Sequence, residues 1–285
     1  MPSQDKLTEV SELIKFTLFS DYVELQIDHK EVPVSALIIA NAESAKTSLV
    51  EQYFPNDGIV YANDITAWGI EHMWLDKMKD GRIKRLLIPD LINPTSRKQE
   101  TVDSLITFLN AYISWEGMST VATYAMQFEL ETPVRGAILA TVTPEDFLRV
   151  TRSIKAVGFL SRLMPITYSY SHTAVDDILS DIFNGKNQWD KIALDLPTEL
   201  TPVRLEGMLA SQFRPVAKAI GKQAGAYGFR AGTYLMTLSR AKALSEGRDA
   251  VNQDDVDRIN YLAEHFVKLP PSLQNTGEIN IVGGK

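Results

Sequence analysis

Almost continuous apolar runs recur through the first part of the chain, and their spacing constrains the fold more than any other feature. The clearest runs are 32–39, 58–62, 86–88 and 136–140, followed by a more polar one at 164–170. Such runs are typical of strands buried on both faces of a parallel sheet. Helical patterns lie between them, at about 44–53, 66–78, 99–113 and 144–157. This alternation predicts an α/β domain with a mostly parallel sheet.

The two ends of the chain have a different character. A helix is predicted over 7–19, and a short strand over 22–27 because Val23, Leu25 and Ile27 alternate with polar residues. After about residue 170 the pattern is helical only, over 173–183, 202–227, 230–246 and 253–267. The turn-rich triplet 184–186 marks the expected boundary. We therefore expect a core over 1–184, a helical lid over 185–270 and a flexible tail over 271–285.

Composition excludes several classes of function. The chain has 285 residues, no cysteine, four scattered histidines and a net charge of −7. Disulfides, thiol catalysis and cysteine-ligated metals are thus excluded, and no histidine spacing suits a zinc site. The net charge argues against a polybasic nucleic-acid binder. With no secretory signal or membrane-spanning run, we expect a cytoplasmic protein with no membrane association.

The segment after the first apolar run has the spacing of a phosphate-binding loop. The pattern G-x-x-x-x-G-K-[ST] follows a buried strand and opens a helix. Its backbone N–H groups wrap phosphates, its lysine neutralises charge, and its hydroxyl residue binds Mg²⁺. Here the corresponding residues are Ala40, Asn41, Ala42, Glu43, Ser44, Ala45, Lys46 and Thr47, followed by Ser48.

Both glycines of the pattern are replaced, by Ala40 and Ala45. A non-glycine residue at positive φ costs about 1–2 kcal/mol, so weakened phosphate binding is expected. The alternative is an ordinary strand-to-helix turn that carries Ala-Lys-Thr by coincidence.

An acidic residue follows another buried strand. The apolar run that ends at Ile88 leads through Pro89 to Asp90, an arrangement in which a carboxylate holds Mg²⁺. Leu91 stands where a second acid would polarise the attacking water. Glu116 is the nearest substitute in the sequence. Either the catalytic base lies elsewhere or hydrolysis is slow.

Taken together, the later segments resemble AAA+ ATPases, particularly the branch with MoxR-like ATPases and minichromosome-maintenance helicases. Residues 105–121 resemble a helix followed by an acidic turn and an inserted β-hairpin. Residues 136–144 resemble the sensor-1 strand, and 158–163 a Leu-Ser-Arg-Phe motif. Residues 229–256 closely follow the lid. The resemblance covers about Val32 to Val267.

The resemblance implies a P-loop NTPase fold, a parallel-sheet core with an all-helical C-terminal lid, and it implies roles for particular residues. Thr143 stands at the sensor-1 position, Arg162 at that of an arginine finger acting in a neighbour's site, and Arg230 at sensor 2, reaching the γ-phosphate. A surface arginine at a strand's start is the alternative for Arg162, and a solubilising lid arginine for Arg230. The implied cofactors are ATP and Mg²⁺.

Two functions follow from different classes. The first is an oligomeric ATPase, made of one or related subunits, that remodels DNA or protein. The second is a catalytically inert AAA+ fold that serves as a structural or partner-binding module. The basic stretch with Lys79, Arg82, Lys84 and Arg85 fits a solvated turn better than a DNA-facing loop.

Overall fold

The computed structural model describes residues 2–24, 31–122, 127–153, 158–185, 190–223 and 227–270. Its core is a five-stranded, all-parallel sheet formed by β1 (Ala36–Ile39), β2 (Gly58–Tyr61), β3 (Ile83–Ile88), β6 (Ala137–Val142) and β7 (Met164–Ile166). The order in space is β2-β3-β6-β1-β7. The chain therefore leaves β1 to one side and returns to its other side with β7. The α/β prediction is confirmed.

The helices of the core separate these strands. They are α1 (Pro2–Phe19), α2 (Lys46–Glu51), α3 (Ala67–Lys79), α4 (Ile92–Thr95), α5 (Gln99–Tyr112) and α6 (Pro144–Ser153). An antiparallel hairpin, β4 (Met118–Ala122) with β5 (Gln127–Val134), follows α5 as the sequence predicts. The predicted strand over 22–27 is wrong where it is described. Ser20–Tyr22 forms a 3-10 turn, and Val23 makes only an isolated bridge to Thr201.

The C-terminal part is helical, with α7 (His172–Phe183), α8 (Gly207–Ser211), α9 (Arg214–Gln223), α10 (Phe229–Ser245) and α11 (Gln253–Phe266). The single helix predicted over 202–227 is instead two described helices, because the chain turns at Gln212 and Phe213. The predicted tail, 271–285, lies outside the described residues. No helix in the described part of the chain is long and apolar enough to cross a bilayer.

The sheet separates two hydrophobic clusters, because successive residues of a strand point to opposite faces. Leu37 and Ile39 of β1 join the cluster beneath α3, α5 and α6. Ile38 joins the other cluster, which also contains residues of α1, α2 and the helices α10 and α11. The C-terminal helices thus share a continuous core with one face of the sheet.

A buried ion pair anchors the 3-10 turn after α1 to β3. Arg85 is 0% exposed and donates to both carboxylate oxygens of Asp21, each at 2.8 Å. It also donates to the carbonyl oxygens of Thr17 and Val34. Arg85 therefore belongs to the core, and the expectation of a solvated basic turn is wrong for this residue.

Candidate functional site

The loop between β1 and α2 adopts a left-handed backbone without glycine. Ala45, which stands at the second glycine of the loop pattern, has φ 60° and ψ 22°. Glu43 has φ 59°, and these are the only non-glycine residues with positive φ in the described ranges. Each costs about 1–2 kcal/mol relative to a relaxed conformation. Ala40, at the first glycine, needs no positive φ.

Lys46 begins α2 and folds back over this loop. Its Nζ donates to the carbonyl oxygen of Asn41 at 2.6 Å. Burial lowers the pKa of Lys46, whereas the charges of Asp90, Glu145 and Asp146 act in the opposite direction. The charge of Asp90 thus reaches Lys46, and the predicted metal-binding role of Asp90 stays a prediction. Glu145 and Asp146 were missed, although acidic residues just after the strand β6 were the available signal.

Asp90 and Thr47 are the predicted Mg²⁺ ligands. Asp90 is half-buried, and its Oδ1 accepts a hydrogen bond from the backbone N–H of Ile92 at 3.2 Å. Thr47 is exposed on the first turn of α2. The described residues hold no cluster of three or more histidines and carboxylates that would form a protein-only metal site. Mg²⁺ bound beside phosphate needs only one or two protein ligands, so these residues fit that ion.

The fit of the loop to a phosphate group can be judged from its unpaired polar atoms. The hydroxyl oxygen of Ser44 is buried and has no hydrogen-bond partner among the described residues. The Ala45 N–H also donates to none of their oxygen atoms. A buried polar group left unpaired costs about 1–3 kcal/mol. A polar ligand at this loop would remove that cost, so the residues present fit a nucleotide's phosphates.

Thr143 follows β6 and begins α6. Its hydroxyl donates to Asp146 Oδ2 at 2.8 Å, and the Asp146 N–H donates to the hydroxyl oxygen at 3.1 Å. Because of this pairing, Thr143 caps the helix and fixes Asp146. The sensor-1 role of Thr143 stays a prediction.

Arg162 lies in a 3-10 turn, Leu160–Arg162, that leads into β7. Its Nη1 donates to Asn110 Oδ1 at 2.6 Å and to the Gly158 carbonyl oxygen at 3.1 Å. Gly158 has φ 112°, and a Cβ there would lie 2.9 Å from Arg162 Nη1. Glycine at this position therefore leaves the space that Arg162 occupies.

The first two turns of α10 hold the Arg162 turn against the C-terminal helices. Arg230 donates to the carbonyl oxygen of Ser161 at 2.6 Å and to its hydroxyl at 3.0 Å. One helical turn later, the Tyr234 hydroxyl donates to the carbonyl oxygen of Arg162. Burial and then the nearby Arg230 lower the pKa of Arg162. The charge of Glu116 acts in the opposite direction and is the smallest of these influences.

These arginines lie at the opposite edge of the sheet from the loop. In the parallel pairing of β1 with β7, Ala36 lies beside Met164 and Ile38 beside Ile166. Arg162 precedes Met164, whereas the loop follows Ile39. Within one chain, the arginines and Lys46 are therefore separated by the length of β1.

Glu116 lies with the arginines and not with Lys46. It is exposed in the turn between α5 and β4, and its charge acts on Arg162. The turn stays at this edge because the Gly136 N–H, at the start of β6, donates to the carbonyl oxygen of Tyr112 at the end of α5. Glu116 is thus not brought near the water that it was expected to polarise in its own chain.

A cavity of about 440 Å³ also lies beside the arginines. Its walls are mostly apolar and include Ile39, Phe147, Leu163 and Tyr234, while Arg230 and Ser161 contribute polar groups. No residue of the loop from Ala40 to Thr47 lines it. The cavity therefore belongs to the junction of sheet, α6 and α10.

Comparison with known families identifies the helical region. Residues 217–264, which span most of α9 together with α10 and α11, match the AAA lid domain. No curated protein matches the chain. The lid match and the parallel sheet with its flanking helices both support the predicted fold class, an α/β core with a helical C-terminal region. The chain thus has an α/β core followed by a helical region that matches the AAA lid domain over residues 217–264.

Proposed function

We propose that this protein binds ATP with Mg²⁺ at the loop from Ala40 to Thr47 and acts as an oligomer. The observation that carries the proposal is the left-handed backbone at Ala45, immediately before Lys46. A strained conformation at a non-glycine residue persists only where surrounding structure maintains it, and it is often found at functional sites. An ordinary strand-to-helix turn would not require it.

In this proposal each residue of the loop region has a separate task. Lys46 neutralises phosphate charge, and the free Ala45 N–H donates to a phosphate oxygen. Thr47 and Asp90 hold Mg²⁺, which shields the charge of the β- and γ-phosphates. Thr143 acts through Asp146, whose carboxylate it fixes beside Lys46.

Arg162 and Arg230 would complete the site of a neighbouring subunit. The two guanidinium groups are close enough that Arg230 lowers the pKa of Arg162, so an anion between them is favourable. Their position at the opposite edge of the sheet from their own Lys46 supports action in trans. For Arg162 this is the role that the resemblance implies, whereas for Arg230 the proposal differs from the expectation that it reaches the γ-phosphate from the lid.

The inert alternative has its own support. Leu91, which occupies the place of the second acid, is 0% exposed and belongs to the core. Glu116 lies at the wrong edge of the sheet to serve as the base for its own loop. Phosphate release at saturating Mg-ATP tests both functions: turnover that is lost in Lys46→Ala supports the ATPase, and no turnover in any oligomeric state supports a binding module.

For the macromolecule that is remodelled, we propose a protein. The apolar side chains Val175, Leu179, Ile182 and Phe183 of α7 are all exposed, and Phe183 is 86% exposed. Contiguous exposed apolar groups are typical of protein contacts, and the net charge of −7 disfavours a polyanion. Turnover measured with and without DNA tests this choice, because stimulation by DNA would contradict it.

A further inference from the structure

Two tyrosines share a single backbone acceptor in the loop. The hydroxyl of Tyr168 donates to the carbonyl oxygen of Ser44 at 2.7 Å, and that of Tyr170 donates to the same oxygen at 2.9 Å. Both follow β7, the strand beside β1, and their rings pack edge to face with centroids 5.9 Å apart. Tyr168 is 8% exposed, so its hydroxyl has been removed from water for this contact.

The acceptor belongs to the peptide unit that joins Ser44 to Ala45. Because a trans peptide is planar, its C=O and N–H point in opposite directions. When the tyrosines hold the carbonyl on their side, the Ala45 N–H must point away from them. This is the N–H that donates to no oxygen atom of the described chain.

The orientation of this peptide also determines the strained dihedral angle. A rotation of the Ser44–Ala45 peptide plane changes φ of Ala45, which the structure holds at 60°. Alanine resists this value, whereas glycine accepts it readily. Two hydrogen bonds to one carbonyl are together comparable in strength to the cost of a left-handed alanine.

We infer that Tyr168 and Tyr170 are positioning residues that stabilise the left-handed backbone at Ala45, a conformation that glycine would adopt without support. Their hydroxyls hold the Ser44–Ala45 peptide so that Ala45 stays left-handed and its N–H remains available to a nucleotide's phosphate. The availability to phosphate rests on the proposed function. The hold on the loop itself does not.

A double-mutant cycle with Ala45→Gly tests the inference. Tyr168→Phe and Tyr170→Phe, singly and together, are made in the natural background and in the Ala45→Gly background, and ADP binding is titrated. In the natural background the double Tyr→Phe variant should lose about tenfold in affinity or more. With Ala45→Gly the loss should shrink to about threefold or less, since glycine needs no support at positive φ.

Tyr53→Phe is the matched control, because Tyr53 is a buried tyrosine whose hydroxyl donates to a backbone carbonyl, that of Ser11, at 2.7 Å. It should leave ADP affinity within twofold. An equal loss of affinity in both backgrounds would mean that the tyrosines act only through general stability, and the inference would be overturned. An unchanged affinity in the double variant would overturn it as well.

Hydrogen exchange in the nucleotide-free protein separates this inference from the proposed function. Exchange of the amides from Asn41 to Thr47 should be faster in the double Tyr→Phe variant than in the natural protein. The increase in exchange rate caused by the two Tyr→Phe changes should be smaller in the Ala45→Gly background. If the natural protein binds no ADP, the proposed function fails while this measurement still decides the role of the tyrosines. Should the double variant not fold, each single variant provides the same comparison.

Discussion

The ammonium group of Lys46 donates to the carbonyl oxygen of Asn41, five residues earlier, at 2.6 Å. The lysine thus lies over its own loop, close enough to Asp90, Glu145 and Asp146 to sense their charges. A phosphate group entering the loop would offer a stronger, charge-assisted acceptor than a carbonyl. We therefore expect Lys46 to exchange the Asn41 carbonyl oxygen for a phosphate oxygen when a nucleotide binds.

Nucleotide binding should take up protons at alkaline pH. Burial lowers the pKa of Lys46 in the free protein, and a bound phosphate would raise it. Affinity should therefore be full at neutral pH and fall as pH rises towards the pKa of the bound state. Calorimetry at about pH 9, in buffers of different ionisation enthalpy, measures the uptake. In Lys46→Gln it should vanish, and unchanged uptake in that variant would assign the proton to another group.

Subunits with complementary defects should restore ATP turnover when they are mixed in one oligomer. Lys46→Ala removes the loop cation, and Arg162→Ala removes the group supplied to a neighbour, so each homogeneous oligomer should lose about 100-fold or more in turnover. In an equimolar random mixture, about a quarter of interfaces combine an intact loop with an intact arginine. ATP turnover of the mixture should reach that fraction of the natural rate. A mixture as inactive as its components would refute action in trans.

Gly158→Ala should reduce turnover more than nucleotide affinity. An added Cβ would lie 2.9 Å from Arg162 Nη1, and the backbone at φ 112° disfavours alanine. The change therefore displaces Arg162 but leaves the distant loop intact. Gly207→Ala is the control, since nothing lies within 4 Å of its added Cβ. The comparison of steady-state turnover with ADP titration checks this split, and an equal loss in both would count against it.

Asp255 should stabilise the lid in a pH-dependent manner. It caps α11 together with Asn252 and binds Arg248 and Lys242. Burial acts to raise the pKa of Asp255, but the hydrogen bonds from Arg248, the Asn252 backbone and Lys242 outweigh it and lower the pKa. Its contribution is therefore present above about pH 4 and lost as pH falls through the lowered value.

Asp255→Asn should lower the free energy of unfolding by about 2 kcal/mol, less than a fully buried pair because Arg248 is 30% exposed. Urea denaturation at pH 7 and at pH 3 checks both size and sign. The difference between the variant and the natural protein should shrink at pH 3. Asp257→Asn, on the exposed face of the same helix, should change little, and an equal effect there would remove the special role of Asp255.

The repeating apolar runs made the architecture predictable. Strands buried on both faces leave continuous apolar stretches, so the runs ending at Ile39, Ile88 and Ala140 indicated the sheet. The spacing of Lys46 after β1 and of Asp90 after β3 then brought these two residues to one edge, because parallel strands end on the same side. The lid was predictable from its helical pattern and Asn252 cap.

The remaining features depend on contacts between distant parts of the chain. The hydrogen bond from Tyr168 to Ser44 joins residues 124 positions apart, so no local sequence pattern predicts it. The basic stretch around Arg85 is typical of an exposed turn, and the burial of Arg85 depends on its ion pair with Asp21, which is distant in the sequence. Glu116 follows Asp90 in the sequence but lies at the other edge of the sheet, because α5 runs back along the sheet. Left-handed Ala45 contradicts the preference of alanine, and only the tertiary structure supplies its support.

Titration of Mg-ATP into the natural protein and into Lys46→Ala, followed by calorimetry, measures whether the loop from Ala40 to Thr47 binds the nucleotide. Lys222→Ala, which removes an exposed lysine of α9, serves as the control. We expect saturable binding at one site per chain, weakened about tenfold or more by Lys46→Ala and unaffected by Lys222→Ala. Absence of binding to the natural protein, or equal affinity in Lys46→Ala, would contradict this expectation.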